Sequence, residues 1–376
     1  MASRRFTTPL ILTQGALALL GLWKLRIEPG IHKVPVDFEL LVFQRQQLGD
    51  GSPLRTRYTG LAWLDALLSM LVGAFMPGVA GWPELPTVRM QQMYFLVQWF
   101  AVVCVWAVEG YRVRNVRRVV SYTTVFAILY QIIGGAFIVP VYYIFHAIAS
   151  KPSDYYLASR GGGSQVRSTF EANSLLPALV LGYLTPTIAL YLPWGNQDLL
   201  QVLAAIWQPA PFIPNLLVGV ASIIFSCSPS GDKTARKSPN PVFIVYIVSG
   251  VICAAAHIAF VSTCLTSPNL SLASVLLPNM TTWKRDIAHG LLFMFQWDFW
   301  VCFASTLLWC WVSVADTLRV VGSSTSSGSG LVKAGVGIVL LSIVAGPGAA
   351  VAATWYWVDD RMCELEEAKD GKDKAN

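Results

Sequence analysis

The chain has 376 residues, of which 55% are hydrophobic and 13% are charged, and its mean hydropathy is +0.54. A soluble domain carries about 25% charged residues, so this composition excludes an ordinary soluble protein. The formal net charge is +6. Part of it lies in one short loop with Arg112, Arg114, Arg117 and Arg118, which indicates a cytoplasmic face and not a nucleic-acid surface.

The first apolar segment, residues 9–23, follows Arg4 and Arg5. No clear cleavage site closes it, so we expect an uncleaved first helix or signal anchor instead of a cleaved signal peptide. The polar segment 24–58 carries charges of both signs and is predicted to be a loop.

Eight further apolar segments follow, each near the length of about twenty residues that crosses hydrocarbon. They are residues 61–80, 93–111, 119–148, 174–192, 199–227, 241–265, 287–314 and 331–357. Their apolar runs are continuous, which favours helices over a β-barrel. The sequence therefore predicts an all-α, polytopic transmembrane bundle of about eight or nine helices. The predicted division is an anchor helix and loop (1–58), a bundle (59–357) and an acidic disordered tail (358–376).

Three prolines interrupt the segment 199–227, at positions 209, 211 and 214. Proline removes a backbone donor, so we expect this segment to be kinked, broken or re-entrant.

The topology after Arg118 stays open. The sequons at Asn269 and Asn279 would place their loop in the lumen, as in a glycoprotein, if they are used. Basic residues between 233 and 237 indicate that the preceding loop is cytoplasmic. If each segment after Arg118 crosses the membrane once, however, these two loops lie on the opposite sides from those that the sequons and the basic residues indicate.

Three acids lie within apolar segments and are the candidate catalytic residues: Asp65, Glu109 and Asp298. An ionised carboxylate inside a membrane costs roughly several kcal/mol, so such residues are functional candidates. Burial disfavours the charged form of a carboxyl group, which makes a buried acid a candidate proton donor. Asp298 lies in "FMFQWDFW", with no Lys or Arg nearby in the sequence. A hairpin of the second and third segments would bring Asp65 and Glu109 to one level.

Each acid also has a structural alternative. Glu109 could pair with Arg112 or Arg114 at the membrane interface. Asp65 could be an acid at a helix N-terminus, where the helix dipole favours it. Asp298 could form a hydrogen bond that joins two helices.

Aromatic residues at the depth of these acids are the candidate substrate-binding residues. They are Trp63, Trp106, Phe295, Trp297 and Trp300. Aromatic faces stabilise cations without attacking them, although such rings also serve simply as packing. Together with an acid, they favour a reaction in which protonation of an epoxide or alkene starts a carbocation rearrangement.

The sequence predicts neither a metal nor a cofactor. The histidines show no metal-ligand spacing such as HExxH, and there is no Walker or GxGxxG motif. Asp359 and Asp360 only faintly resemble a diphosphate–Mg²⁺ motif, and we interpret them as part of a solvated tail. These observations favour initiation by a proton over metal-assisted ionisation of a diphosphate.

The chain resembles the fungal membrane-bound terpene cyclases of meroterpenoid pathways. The resemblance rests on the small all-helical layout and on the acids within "GLAWLDALLSM", "VVCVWAVEGYR" and "FMFQWDFW", and it extends from about Tyr58 onward. It is closer to the ascochlorin/ascofuranone type, including the macrophorin-type cyclase, than to shorter seven-helix cyclases. The resemblance implies metal-independent, class II-type protonation of a terminal epoxide or alkene on a farnesylated polyketide-derived ring.

By the same resemblance, Asp298, Glu109 and Asp65 would be the acid and base. We expect an enzyme of the endoplasmic reticulum membrane whose partners are a prenylated small molecule and membrane lipid. A proton-coupled transporter would also place acids in the membrane, but transporters often show repeats and paired broken helices, and here the sequence indicates one broken segment. A sterol-isomerase-like enzyme and a membrane protein without chemistry also remain alternatives. The acid that acts first, the natural substrate and the oligomeric state stay open.

Overall fold

The computed structural model describes residues 7–82, 85–152, 155–156, 166–225, 240–322 and 328–375. Within these ranges the chain is helical, and only two isolated bridges pair its extended residues. This confirms the predicted all-α class. The helices, numbered in chain order, are α1 (Thr7–His32), α2 (Ala62–Gly81), α3 (Pro86–Tyr111), α4 (Thr123–Ile133), α5 (Gly135–Ala149), α6 (Thr169–Leu190), α7 (Gln197–Trp207), α8 (Ile213–Phe225), α9 (Pro241–Thr266), α10 (Leu272–Leu276), α11 (Ile287–Val321), α12 (Gly328–Ala345) and α13 (Pro347–Ala375).

Six helices of the described chain are long and apolar enough to cross a membrane: α1, α2, α3, α6, α9 and α11. α4, α5, α8 and α12 are apolar but shorter. These lengths indicate a membrane protein, as predicted. The basic residues between 233 and 237, on which the open topology partly depends, lie outside the described residues.

Three of the predicted spans are broken within the bundle. Gly134, at φ +123°, separates α4 from α5, and Gly346, at φ +92°, separates α12 from α13. Glycine adopts such angles without steric cost. The proline-rich segment is also broken, as predicted: α7 ends at Trp207 and α8 begins at Ile213. Each break exposes backbone groups that must find partners inside the protein.

The N-terminal helix is longer than predicted, because α1 continues to His32 through residues assigned to a polar loop. α1 runs antiparallel to α11. Near one end, the Gln14 side-chain amide donates to the Ser305 carbonyl at 3.1 Å. Near the other end, the rings of His32 and Trp283 lie 5.4 Å apart, edge to face. Residues after His32 therefore start level with the beginning of α11.

The last helix differs from the predicted solvated tail. α13 extends to Ala375, and Val358, Asp359 and Met362 are fully or almost fully buried. The interpretation of Asp359 as a solvated charge was therefore wrong. Asp359 is buried because α13 packs against α9 and α3, where it meets a buried arginine.

α1 also approaches α5 very closely at Gly21. A Cβ atom there would overlap the carbonyl oxygen of Ala136, which is backbone and cannot move aside easily. A Cβ atom on Gly15, on the same helix, would have nothing within 4 Å. The two glycines are thus a matched pair, one at a tight contact and one in the open.

We predict that Gly21→Ala lowers the free energy of unfolding by about 1–3 kcal/mol through overpacking. Gly15→Ala should be neutral or stabilising, because alanine is a better helix former by up to about 1 kcal/mol. Thermal unfolding of both variants in detergent micelles measures the difference. Equal melting temperatures for the two variants would contradict the close α1–α5 contact.

Candidate active site

A cavity of about 780 Å³ lies between α1, α2, α3, α7, α11 and the junction of α4 with α5. Small-molecule sites have volumes of about 300–1,000 Å³, so this cavity is large enough for a substrate. Its wall is rich in aromatic rings, contributed by Phe38, Phe43, Phe75, Phe95, Trp99, Tyr130, Trp207 and Phe295.

Asp298 lines this cavity, whereas Glu109 and Asp65 do not. Its Oδ1 accepts a hydrogen bond from the amide of Ala136 at 2.5 Å and a weaker one from the Cys302 thiol at 3.5 Å. Ala136 belongs to the first turn of α5. The carboxyl group of α11 thus pairs a backbone donor that the helix break leaves exposed.

Gly135 makes this approach possible. A Cβ atom on Gly135 would lie 3.0 Å from Asp298 Oδ1 and 2.8 Å from Cys302 Sγ. Any larger residue would displace the Cys302 thiol and crowd the Asp298 carboxyl group. The two consecutive glycines at the break therefore have different roles. Gly134 adopts the backbone angle of the turn, and Gly135 leaves space for the Asp298 carboxyl group.

Arg26 of α1 lies on the other side of the same break. Its Nε donates to the Ile133 carbonyl and its Nη2 to the Ile132 carbonyl, both at 3.0 Å. Arg26 also lines the cavity and interacts electrostatically with Asp298. A cation thus lies at the C-terminus of α4 and an acid at the N-terminus of α5, as the helix dipoles favour.

Sequence reasoning missed this cation near Asp298, because the predicted first helix ended before residue 26. Arg26 becomes a neighbour only through the antiparallel packing of α1 on α11. A charged residue that continues an apolar helix is the one signal that could have identified it.

Phe295 is the one predicted substrate-binding ring that lines the large cavity. It meets Phe75 edge to face, with ring centroids 5.5 Å apart, and Phe75 lies 5.0 Å from Trp207. Trp99 donates from Nε1 to the Tyr130 hydroxyl at 3.2 Å. Phe75, Trp207 and Tyr130 were not predicted, since they come from three other helices that only folding brings together.

Three other predicted rings lie away from the cavity. Trp63 is 70% exposed on the outside of α2. Trp300 is also exposed and donates from Nε1 to the Leu276 carbonyl at 2.6 Å. Trp297 faces α1, with Lys24 Nζ 4.9 Å from its ring centroid.

Trp106 is buried but outside the large cavity. It donates from Nε1 to the Tyr143 hydroxyl at 3.2 Å, and its ring centroid lies 4.1 Å from that of Tyr142. It lines a second cavity of about 10 Å³, which Trp99 and Tyr130 separate from the large one. Its contacts are those of a packed ring.

Glu109 is fully buried in a polar network at the end of α3. Its carboxylate accepts from Arg112 Nε at 3.1 Å, Arg114 Nη2 at 2.8 Å and Asn115 Nδ2 at 2.9 Å. This is the pairing that the sequence left open as an alternative for Glu109. Two arginines of the four-arginine loop are therefore held inside the protein.

The network extends to the last helix through Arg112. Its guanidinium also pairs with Asp359, whose Oδ2 accepts from the Tyr246 hydroxyl at 3.0 Å. α3, α9 and α13 are thus joined by one set of buried charges.

Asp65 is buried at the start of α2 and binds the segment before it. Its carboxylate accepts from the amides of Tyr58 (3.1 Å), Thr59 (2.7 Å) and Gly60 (3.0 Å). α2 packs against α7, and in the described chain no contact joins Asp65 to Glu109. Asp65 and Glu109 are therefore held by separate groups of partners.

We predict that Asp359→Asn lowers the free energy of unfolding by about 3 kcal/mol, because the buried Arg112 loses one of its carboxylate partners. Asp360→Asn is the matched control, since the Asp360 carboxylate is partly exposed and its Oδ2 lies 3.8 Å from Arg361 Nη2. Denaturant unfolding in micelles measures both. If the two variants were equally stable, the buried network would not support the bundle.

The described fold defines a class: a helical bundle with helices long enough to cross a membrane, in which the carboxyl group of Asp298 lines a cavity rich in aromatic rings. The CtvD domain family model matches residues 7–363, so the chain belongs to the CtvD domain family. Together with the named relatives below, this match confirms the resemblance to the fungal terpene cyclases of meroterpenoid pathways. No solved structure matches the chain.

Named relatives support a terpene cyclase function. The terpene cyclase ascI of Acremonium egyptiacum is 26% identical over 85% of this chain and 83% of its own length. The terpene cyclase ctvD of Aspergillus terreus is 27% identical over 83% of this chain and 88% of its own length. The FAD-dependent monooxygenase verC1 of Penicillium polonicum is 24% identical over 68% of this chain but only 31% of its own length, so the similarity spans a minor part of that protein.

Proposed function

We propose that this protein is an integral membrane terpene cyclase that protonates the terminal alkene or epoxide of a farnesylated, polyketide-derived ring. The observation that carries the proposal is Asp298, a carboxyl group that lines a cavity rich in aromatic rings. We place the enzyme in the endoplasmic reticulum membrane, from which a prenylated substrate would enter the cavity.

Asp298 is the proton donor in this proposal. Its carboxyl proton passes to the epoxide oxygen or the alkene carbon, and a carbocation forms at the adjacent substituted carbon. The Ala136 amide and the Arg26 guanidinium stabilise the carboxylate that remains. Transfer therefore occurs where the broken helix already favours a negative charge.

The aromatic wall stabilises the charge as it moves along the chain. Phe75 contacts both Phe295 and Trp207, and the three rings offer no nucleophile to the cavity. Alkenes of the chain attack the cation in turn and close rings. The cascade ends when a carbon-bound proton returns to the Asp298 carboxylate, or when water adds and releases its proton to that group.

Glu109 and Asp65 have structural tasks in this mechanism. Glu109 is held by Arg112, Arg114 and Asn115, and Asp65 is held by three backbone amides. Neither borders the cavity, so neither reaches a substrate that Asp298 protonates.

We predict that Asp298→Asn lowers turnover by about 10²–10⁴-fold, the usual contribution of a general acid. Asparagine still offers an oxygen to the Ala136 amide, so the variant should fold normally. Microsomes that contain the enzyme, supplied with a farnesylated phenol bearing a terminal epoxide, measure the turnover. Asp65→Asn is the control and should retain activity. An active Asp298→Asn enzyme would remove Asp298 from the mechanism.

We also predict that cyclisation continues in the presence of EDTA, because a carboxyl proton and not a metal starts the reaction. Product formation is compared before and after chelation in the same microsomes. Loss of product that is restored by Mg²⁺ would instead indicate metal-assisted ionisation.

A further inference from the structure

The mouth of the cavity is charged, whereas its interior is mostly apolar apart from Arg26, Gln131 and Asp298. Lys33, Asp37, Glu39 and Gln44 line the cavity on the segment that follows α1 and are at least partly exposed. We refer to these four residues as the rim. In the described part of the chain, no ion pair or hydrogen bond engages the side chains of Lys33, Asp37 and Glu39.

The backbone holds two rim residues in an uncommon conformation. Lys33 has φ +53° and Asp37 has φ +57°, in the left-handed region that residues other than glycine seldom occupy. Such conformations cluster at ligand-binding sites, where surrounding contacts maintain them. Here Val34 and Pro35, between the two, pack against Gly290 of α11.

The same contact sets the distance between the rim and the acid. A Cβ on Gly290 would lie 2.8 Å from Val34 and 2.9 Å from Pro35, so the part of the rim that contains Lys33 and Asp37 lies near the level of Gly290. Asp298 follows eight residues later on the same helix, which is about 12 Å deeper at 1.5 Å per residue. Leu291, among others, forms the apolar wall between the two levels.

We infer that the rim binds the polar ring of the substrate while the prenyl chain extends inward, so that its far end reaches Asp298. This inference rests on the proposed function and adds the orientation and the ring chemistry. A single ring cannot bridge about 12 Å, but an extended chain of several isoprene units can. The reverse orientation would bury the charges of Lys33, Asp37 and Glu39 against hydrocarbon, which is costly.

The charges of the rim select the kind of ring. Asp37 and Glu39 accept hydrogen bonds from ring hydroxyls, and Lys33 donates to a ring oxygen. Two carboxylates and one ammonium give the rim a net negative charge, while Arg26 donates to the carbonyls of α4. A hydroxylated, uncharged ring is therefore favoured, and a prenyl diphosphate is repelled.

The test uses the Asp37→Asn/Glu39→Gln double variant and two probes. One probe is a resorcinol ring that carries a farnesyl chain with a terminal epoxide, and the other is its dimethyl ether. We expect KM for the diol to rise about tenfold, since hydrogen bonds to charged groups are lost. The kcat for the diol and both constants for the dimethyl ether should stay within about twofold of wild type.

Two single variants control for general effects of charge. Lys284→Gln removes a cation near the start of α11 that contacts His32 and Trp283 but does not line the cavity. Asp198→Asn removes an exposed carboxylate that pairs with Arg55. Both should behave as wild type with either probe.

Binding separates this inference from the proposed function. Farnesyl resorcinol without an epoxide, and farnesyl diphosphate, are titrated against the purified protein in nanodiscs. The signal is the change in intrinsic tryptophan fluorescence, to which Trp99 and Trp207 in the cavity lining contribute. Wild type should bind the diol more tightly than the diphosphate, and the double variant should lose about tenfold for the diol. A wild-type protein that binds in this way but forms no product would refute the proposed function alone. Equal effects on the diol and its ether, an unchanged diol affinity in the variant, or tight diphosphate binding by wild type would each overturn the role of the rim.

Discussion

The arrangement of this protein depends on a helix that breaks inside the bundle. The break at Gly134 exposes carbonyl groups on α4 and amide groups on α5, and lipid offers them no partner. Arg26 pairs with the carbonyls of residues 132 and 133, and Asp298 pairs with the Ala136 amide. Both side chains also line the cavity. The need to pair the backbone groups at the break therefore places an acid, and a cation that stabilises its conjugate base, in the wall of the cavity.

The remaining buried charges act differently. The charges of Glu109, Arg112, Arg114 and Asp359 compensate one another at the end of α3. Removal of any one of these side chains would leave a buried charge that has lost a partner and is not hydrated. Such a network stabilises the bundle but offers no reactive group to the cavity. A buried acid in a membrane protein is thus a candidate catalytic residue only if its partners leave it at the substrate cavity. Among the three predicted acids, Asp298 alone lines the cavity.

The apolar windows predicted most of the helices, because hydrophobic length is a property of the sequence alone. They missed the breaks at Gly134 and Gly346, since one or two glycines do not interrupt an apolar window. Because three spans are broken and not one, the number of broken segments no longer counts against a transporter. Asp298 and Phe295 were predicted from their local context. Arg26, Phe75 and Trp207 were not, because their role comes from packing between distant helices. Trp63 and Trp300 were misplaced, since depth along a helix does not reveal which face a ring occupies.

In the proposed mechanism, the far end of the substrate meets Asp298. The most direct test is a cryo-electron microscopy structure with a farnesyl resorcinol whose terminal epoxide is replaced by an aziridine, which keeps the proton that it accepts. We expect the aziridine nitrogen within about 3 Å of an Asp298 carboxylate oxygen, with the ring beside Lys33, Asp37 and Glu39. An aziridine bound at Glu109 or Asp65, or outside the cavity, would contradict the account.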